Sequence, residues 1–139
     1  MIKDDMRPIQ ILLVEDNQGD IFLTRKAFEK AMVANRIQVA TDGEMALKML
    51  RGEQESSPAE IIDIVLLDIN LPKLDGKQVL EAMKKDPDLR RIPVVVLSSS
   101  KAEQDVLQSY DLQASGYIVK PLSFEKFIDV VSAIEEFWF

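Results

Sequence analysis

The feature that most constrains this chain is an alternation. Five short apolar runs rich in β-branched residues are "IQILLV" (9–14), "IQVA" (37–40), "IIDIVLL" (61–67), "VVVL" (94–97) and "GYIV" (116–119). Longer amphipathic segments separate and follow them, near 19–33, 43–51, 76–85, 101–112 and 123–136. In the last segment Phe124, Phe127, Ile128, Val131 and Ile134 recur at helical spacing, an apolar stripe on one face. Apolar strands alternating with helices predict a parallel sheet covered on both faces. Right-handed crossovers then leave a few doubly wound α/β arrangements. Over 139 residues there is no repeat, low-complexity tract or linker, so the expectation is one domain, 1–139, with a core of about 9–136. Asp42 and Ser123 are predicted helix N-caps, with Lys126 where a capping-box acid would sit, and 52–60 reads as a polar loop.

The strand ends carry the chemistry. The first run ends in Glu15-Asp16-Asn17, the third in Asp68, the fourth in Ser98-Ser99-Ser100 and the fifth in Lys120-Pro121. The second run ends at Ala40-Thr41-Asp42 and adds little, as expected for an edge strand. In open α/β sheets, sites form beyond the carboxyl ends of the strands. Taken singly, each residue has an ordinary reading. A strand-end acid is usually a turn or cap, Ser99 or Ser100 suits a helix N-cap, and Tyr117 is a half-buried strand residue. Together they bring three carboxylates, a hydroxyl and an ammonium to one sheet edge.

Three clustered carboxylates repel, and a hard divalent cation removes that conflict. The chain has no His and no Cys, which excludes disulfides, thiolate or imidazole zinc sites and histidine acid–base catalysis. Oxygen-only donors suit Mg2+, which leaves positions for phosphate oxygens. Lys120 and Ser98 suit a phosphoryl group as point charge and neutral donor, and Asp68 is the natural nucleophile. A net charge of −7 argues against nucleic acid. The apolar run near the N-terminus is broken by Glu15, too short and too charged for a signal peptide, and no segment predicts a membrane span. A cytoplasmic protein is expected.

These motifs, "LLVEDN", "LLDINLPKLDG", "VVVLSSS" and "YIVKP", closely resemble the receiver domain of two-component response regulators. The likeness runs from about Ile9 to Ile134, with Asp68 spaced 30 residues from Ser98 and 52 from Lys120. The resemblance implies a flavodoxin-like fold with strand order 2-1-3-4-5 and five flanking helices; with no linker to a second domain, no output domain is expected. It implies that Asp68 accepts a phosphoryl group from a phosphohistidine on a partner histidine kinase. It implies Mg2+ held by Asp16, Asp68 and the backbone carbonyl of Asn70, with Glu15 acting through water. Ser98 and Lys120 would bind the phosphoryl group, Ser98 and Tyr117 would act as the switch, and Lys120-Pro121 would be a cis peptide. Features such as "SYDLQASGYIVKPLSFEKF" resemble single-domain regulators paired with phytochrome-type histidine kinases.

The expected function is a phosphorylation-controlled switch, not an enzyme acting on other substrates. Its readout surface would be the face of the fourth helix, fifth strand and fifth helix. The aromatic tail Phe137, Trp138 and Phe139 either marks a contact, such as a homodimer, or folds back on the last helix. Two other readings are a phosphate-independent interaction module and a haloacid-dehalogenase-type phosphohydrolase. The latter needs a second Asp two residues after the nucleophile, where this chain has Asn70.

Overall fold

A computed structural model describes residues 8–52 and 62–133. Its elements are β1 (Ile9–Val14), α1 (Gln18–Lys30), β2 (Asn35–Ala40), α2 (Gly43–Leu50), β3 (Ile64–Asp68), α3 (Gly76–Lys85), β4 (Val94–Ser98), α4 (Lys101–Gln108), β5 (Gly116–Val119) and α5 (Phe124–Val131). The strands pair in parallel in the order β2-β1-β3-β4-β5, the expected doubly wound sheet. Every residue of β3 and β4 is buried, whereas β2 is mostly half-exposed, as suits an edge strand.

The sheet separates two apolar layers. On the α1 and α5 side, Phe28 packs edge-on to Phe124 and Phe127 at centroid distances of 5.8 and 4.8 Å. On the other side, Ala46 and Leu47 of α2 and Val79, Leu80 and Met83 of α3 cover alternate strand residues, with Leu107 of α4. Each fully buried large aliphatic side chain contributes about 1.5–3 kcal/mol. The carboxyl ends of the parallel strands thereby lie together at one edge of the sheet.

Several element bounds differ from the pattern-based expectation. Helix α1 stops at Lys30 because Met32 turns into the left-handed region, φ 56°. Helix α4 stops at Gln108, with Gln113 at φ 60° in the following turn. Strand β3 begins at Ile64, later than expected. Asp63 is still tied to β1: its N–H donates to the Gln10 carbonyl, and its carboxylate accepts the Gln10 N–H at 2.8 Å. Most of the 52–60 loop, Ile134 of the α5 stripe and the Phe137-Trp138-Phe139 tail lie outside the described residues. Asp42 and Ser123 cap α2 and α5 as expected, and Ser100 rather than Ser99 caps α4. Among the described residues no helix is long and apolar enough to cross a membrane.

Candidate functional site

Four strand ends build the site. At the end of β1, Glu15 stays in the sheet ladder, its N–H donating to the Ala40 carbonyl at 2.9 Å. That buries the Glu15 side chain, while Asp16 projects from the surface. Asn17 then caps α1, accepting the Asp20 N–H at 2.9 Å. Asp68 ends β3 and is buried, and the Ile69 N–H continues the ladder to the Leu97 carbonyl at 3.2 Å. One carboxylate oxygen from each of Glu15, Asp16 and Asp68 lies within 4.8 Å of the others.

The path after Asp68 is set by close packing. The N–H of Gly76 donates to the Ile69 carbonyl at 3.2 Å. A Cβ on Gly76 would meet the Asp68 carbonyl oxygen and the Ile69 Cα, each at 2.7 Å. Lys73, in the left-handed region at φ 62°, brings its ammonium 3.6 Å from Asp42 at the α2 cap.

Lys120 closes the cluster from β5. Its ammonium lies 2.8 Å from Glu15 Oε1, 3.1 Å from Asp20 Oδ2 and 3.3 Å from Asp68 Oδ2. The Lys120 N–H donates to the Ser98 carbonyl, and the bond to Pro121 is cis. Lys126, where a capping-box acid would stand, instead donates its ammonium to the Val119 and Pro121 carbonyls at 2.9 and 3.1 Å. That fixes the turn carrying Lys120.

Electrostatically the site is rich in anions. Burial pushes the Glu15 carboxyl up to about 7, with the hydrogen bond and charge of Asp68 adding and Lys120 opposing. Burial alone would lower the Lys120 ammonium, but Glu15, Asp20 and Asp68 together hold it above its ordinary value. Buried charges are costly unless paired, and here Lys120 faces Glu15, Asp20 and Asp68 with Asp16 close by. The donors are all oxygens, and exposed Asp16 leaves the cluster open to solvent. This set fits a hard divalent cation such as Mg2+ or Mn2+.

The other predicted residues are near but not all in contact. Ser98 is buried at the end of β4, and its hydroxyl donates to the Ser100 carbonyl at 3.3 Å. Asn70 donates its N–H to Asp68 Oδ1 at 3.2 Å, and its side-chain amide to Glu103 Oε2 at 3.1 Å. Tyr117 is half-buried on β5, packed against the α2–α3–α4 layer. Two contacting residues, Asp20 and Glu103, were not anticipated. Both sit in the first turn of a helix three residues after its cap, a position where acids are common for purely local reasons.

Comparison with known proteins agrees with this geometry. The response regulator receiver domain family matches residues 11–132. Response regulator Rcp1 of Synechocystis sp. is 41% identical over 133 residues, covering 94% of this chain and 89% of the relative. A solved structure of Rcp1 is a Mn2+-bound form, with TM-score 0.71, 41% identity and 94% of each chain covered. The bacteriophytochrome response regulator AtBRR superposes with a TM-score of 0.88 at 43% identity, covering 96% of both chains. The phosphorylated cyanobacterial phytochrome response regulator RcpA superposes with a TM-score of 0.75 at 45% identity, covering 95% and 94%. This chain is therefore a member of the response regulator receiver domain family of two-component signalling, with phytochrome response regulators among its relatives.

Proposed function

We propose that the chain is a response regulator receiver that accepts a phosphoryl group on Asp68 from a partner histidine kinase of the phytochrome type. The observation that carries this reading is the Lys120 ammonium within 3.3 Å of the buried Asp68 carboxylate, beside an open cluster of acids. An Asp68 carboxylate oxygen attacks the phosphorus of the donor's phosphohistidine. The P–N bond breaks, its electron pair stays on the departing imidazole, and an acyl phosphate remains on Asp68.

Phosphoryl transfer asks mainly for positioning and charge neutralisation, which these residues supply. Lys120 is already placed beside Asp68 and can follow the charge onto a phosphoryl oxygen. Ser98 offers a hydroxyl that can exchange its weak bond to the Ser100 carbonyl for that oxygen. Movement of Ser98 leaves room for Tyr117 to change rotamer, and the α4–β5–α5 face reports it. Mg2+ would be held by Asp16, Asp68 and the Asn70 carbonyl, with Glu15 acting through water; when bound it neutralises developing charge on the phosphoryl oxygens.

In this reading the chain catalyses only its own phosphorylation and dephosphorylation, in the cytoplasm. The α4–β5–α5 face is the homodimer surface in this reading, and the aromatic residues Phe137, Trp138 and Phe139 are proposed as a further contact. Sedimentation with and without the tail tests that point. The main test is incubation with acetyl phosphate and Mg2+, followed by intact-mass measurement. The wild type should gain one phosphoryl group, and Asp68→Asn should gain none. Stoichiometric labelling of Asp68→Asn would refute the assignment. Transfer from a phytochrome-type histidine kinase, absent with an unrelated kinase, tests the partner.

A further inference from the structure

Glu103 is an acid beside the site that the proposed chemistry does not use. It stands in the first turn of α4, where a capping-box acid turns back to the N–H of the cap residue, here Ser100. The Glu103 carboxylate reaches one residue further. Its Oε1 accepts the Ser99 N–H at 2.8 Å and the Ser99 hydroxyl at 3.3 Å, and its Oε2 accepts the Asn70 amide at 3.1 Å. Ser99 directly follows Ser98, and Asn70 donates its N–H to Asp68. Glu103 thus bridges the residue after the phosphoryl-binding hydroxyl and the residue two beyond the phosphoacceptor. Its charge interacts with Lys120 across the site.

A backbone N–H that holds a carboxylate is an anion donor already in use. A phosphoryl donor approaching Asp68 adds negative charge next to a carboxylate fixed in place by three hydrogen bonds. We propose that Glu103 is a built-in competing anion: it occupies the Ser99 N–H in the unphosphorylated protein and must leave for Asp68 to be phosphorylated. The proposal rests on Asp68 being the phosphoacceptor. Departure of Glu103 frees the Ser99 N–H and unties the first turn of α4 from Asn70. The same event that admits the phosphoryl group therefore releases the helix.

The test uses the full chain in saturating Mg2+ and follows phosphorylation by intact mass. Glu103→Gln keeps the shape and loses the charge; Glu103→Ala loses both. Two donors of different charge are compared: acetyl phosphate, a dianion, and phosphoramidate, a monoanion. With acetyl phosphate both variants should react roughly three- to tenfold faster than wild type, the size expected for removing one nearby, partly screened charge. With phosphoramidate the gain should be smaller, and with both donors it should shrink as salt is added. Equal acceleration with both donors, acceleration of Glu103→Ala alone, or none would overturn the proposal. Absence of labelling in the wild type would instead refute Asp68 as the acceptor.

Discussion

Helices α3 and α4 follow the two strands that end in Asp68 and Ser98, yet they are held by different forces. In α3, Gly76, Val79, Leu80 and Met83 are buried, and Asp75 and Gln78 form a complete capping box. In α4, Leu107 is the one buried residue, and neighbouring Val106 is 56% exposed. Its N-terminal turn is tied down by Glu103, through Ser99 and Asn70. Apolar burial is indifferent to events at the site, whereas hydrogen bonds to a carboxylate respond to local charge. In the proposed mechanism, the helix anchored through polar contacts is the one that phosphorylation of Asp68 would move.

The largest test of this contrast is core truncation. Met83→Ala should cost about 2–5 kcal/mol in urea unfolding, because it leaves a cavity under α3. Val106→Ala on α4 should stay within about 0.5 kcal/mol. Comparable losses for the two would remove the contrast. Next comes Gly76→Ala, whose new Cβ would collide with backbone atoms of Asp68 and Ile69. We expect a loss of about 1–3 kcal/mol and slower phosphorylation, because the Asp68 carbonyl must shift. The matching first residue of α4, Lys101, is exposed and already carries a long side chain, so Lys101→Ala should change stability little.

Acidity separates the two sides of the site further. The folded state keeps Glu15 protonated up to about 7, against an ordinary 4.5. Between those values the folded protein holds a proton that the unfolded chain has released. The contribution of Glu15 is therefore greatest below 4.5 and is lost as pH rises through about 7, with a slope of at most about 1.4 kcal/mol per pH unit. Metal-free urea titrations between pH 5 and 8 should show wild type losing stability relative to Glu15→Gln, and a constant difference would contradict the assignment. Glu103 behaves oppositely. Burial alone would raise its pKa, but hydrogen bonds from Ser99 and Asn70 and the charge of Lys120 hold it below 4.5. Its contribution is present above that pH and is lost on acidification. Amide exchange in α4 should then quicken at low pH in wild type and not in Glu103→Gln.

The split between what was and was not legible in the chain follows the same physics. The sheet could be read because β3 and β4 are buried on both faces and so must be continuously apolar. Glu15, Asp16, Asp68 and Lys120 could be read because strand ends of a parallel sheet share one edge. Asp20 and Glu103 could not, because an acid in a helix's first turn is favoured by the helix dipole whatever it touches. Their contacts depend on side-chain reach across the fold, to Lys120 and to Asn70. The end of α1 was missed for a related reason: Met32 adopts a left-handed conformation with no glycine to announce it.

The smallest effect is the most direct comparison of the two helices. Asp75 and Ser100 are both N-caps, accepting the N–H groups of Gln78 and Glu103 at 3.0 Å each. Loss of either to Ala should cost on the order of 1 kcal/mol. The two losses should appear in different measurements. Because α3 is clamped by four buried residues, its cap loss cannot melt the helix alone and should register as a shift of the global urea midpoint. Helix α4 has Leu107 as its one buried residue, so Ser100→Ala should open its first turn locally. Exchange at Glu103 and Gln104 would rise about fivefold to tenfold while the urea midpoint moves less than in Asp75→Ala. Removing Ser100 also loosens the turn that positions Glu103 on Ser99. Ser100→Ala should therefore quicken labelling by acetyl phosphate in the same direction as Glu103→Gln, by a smaller factor. A purely global loss for both caps would mean that α4 is fixed as firmly as α3, and that its release is not what phosphorylation controls.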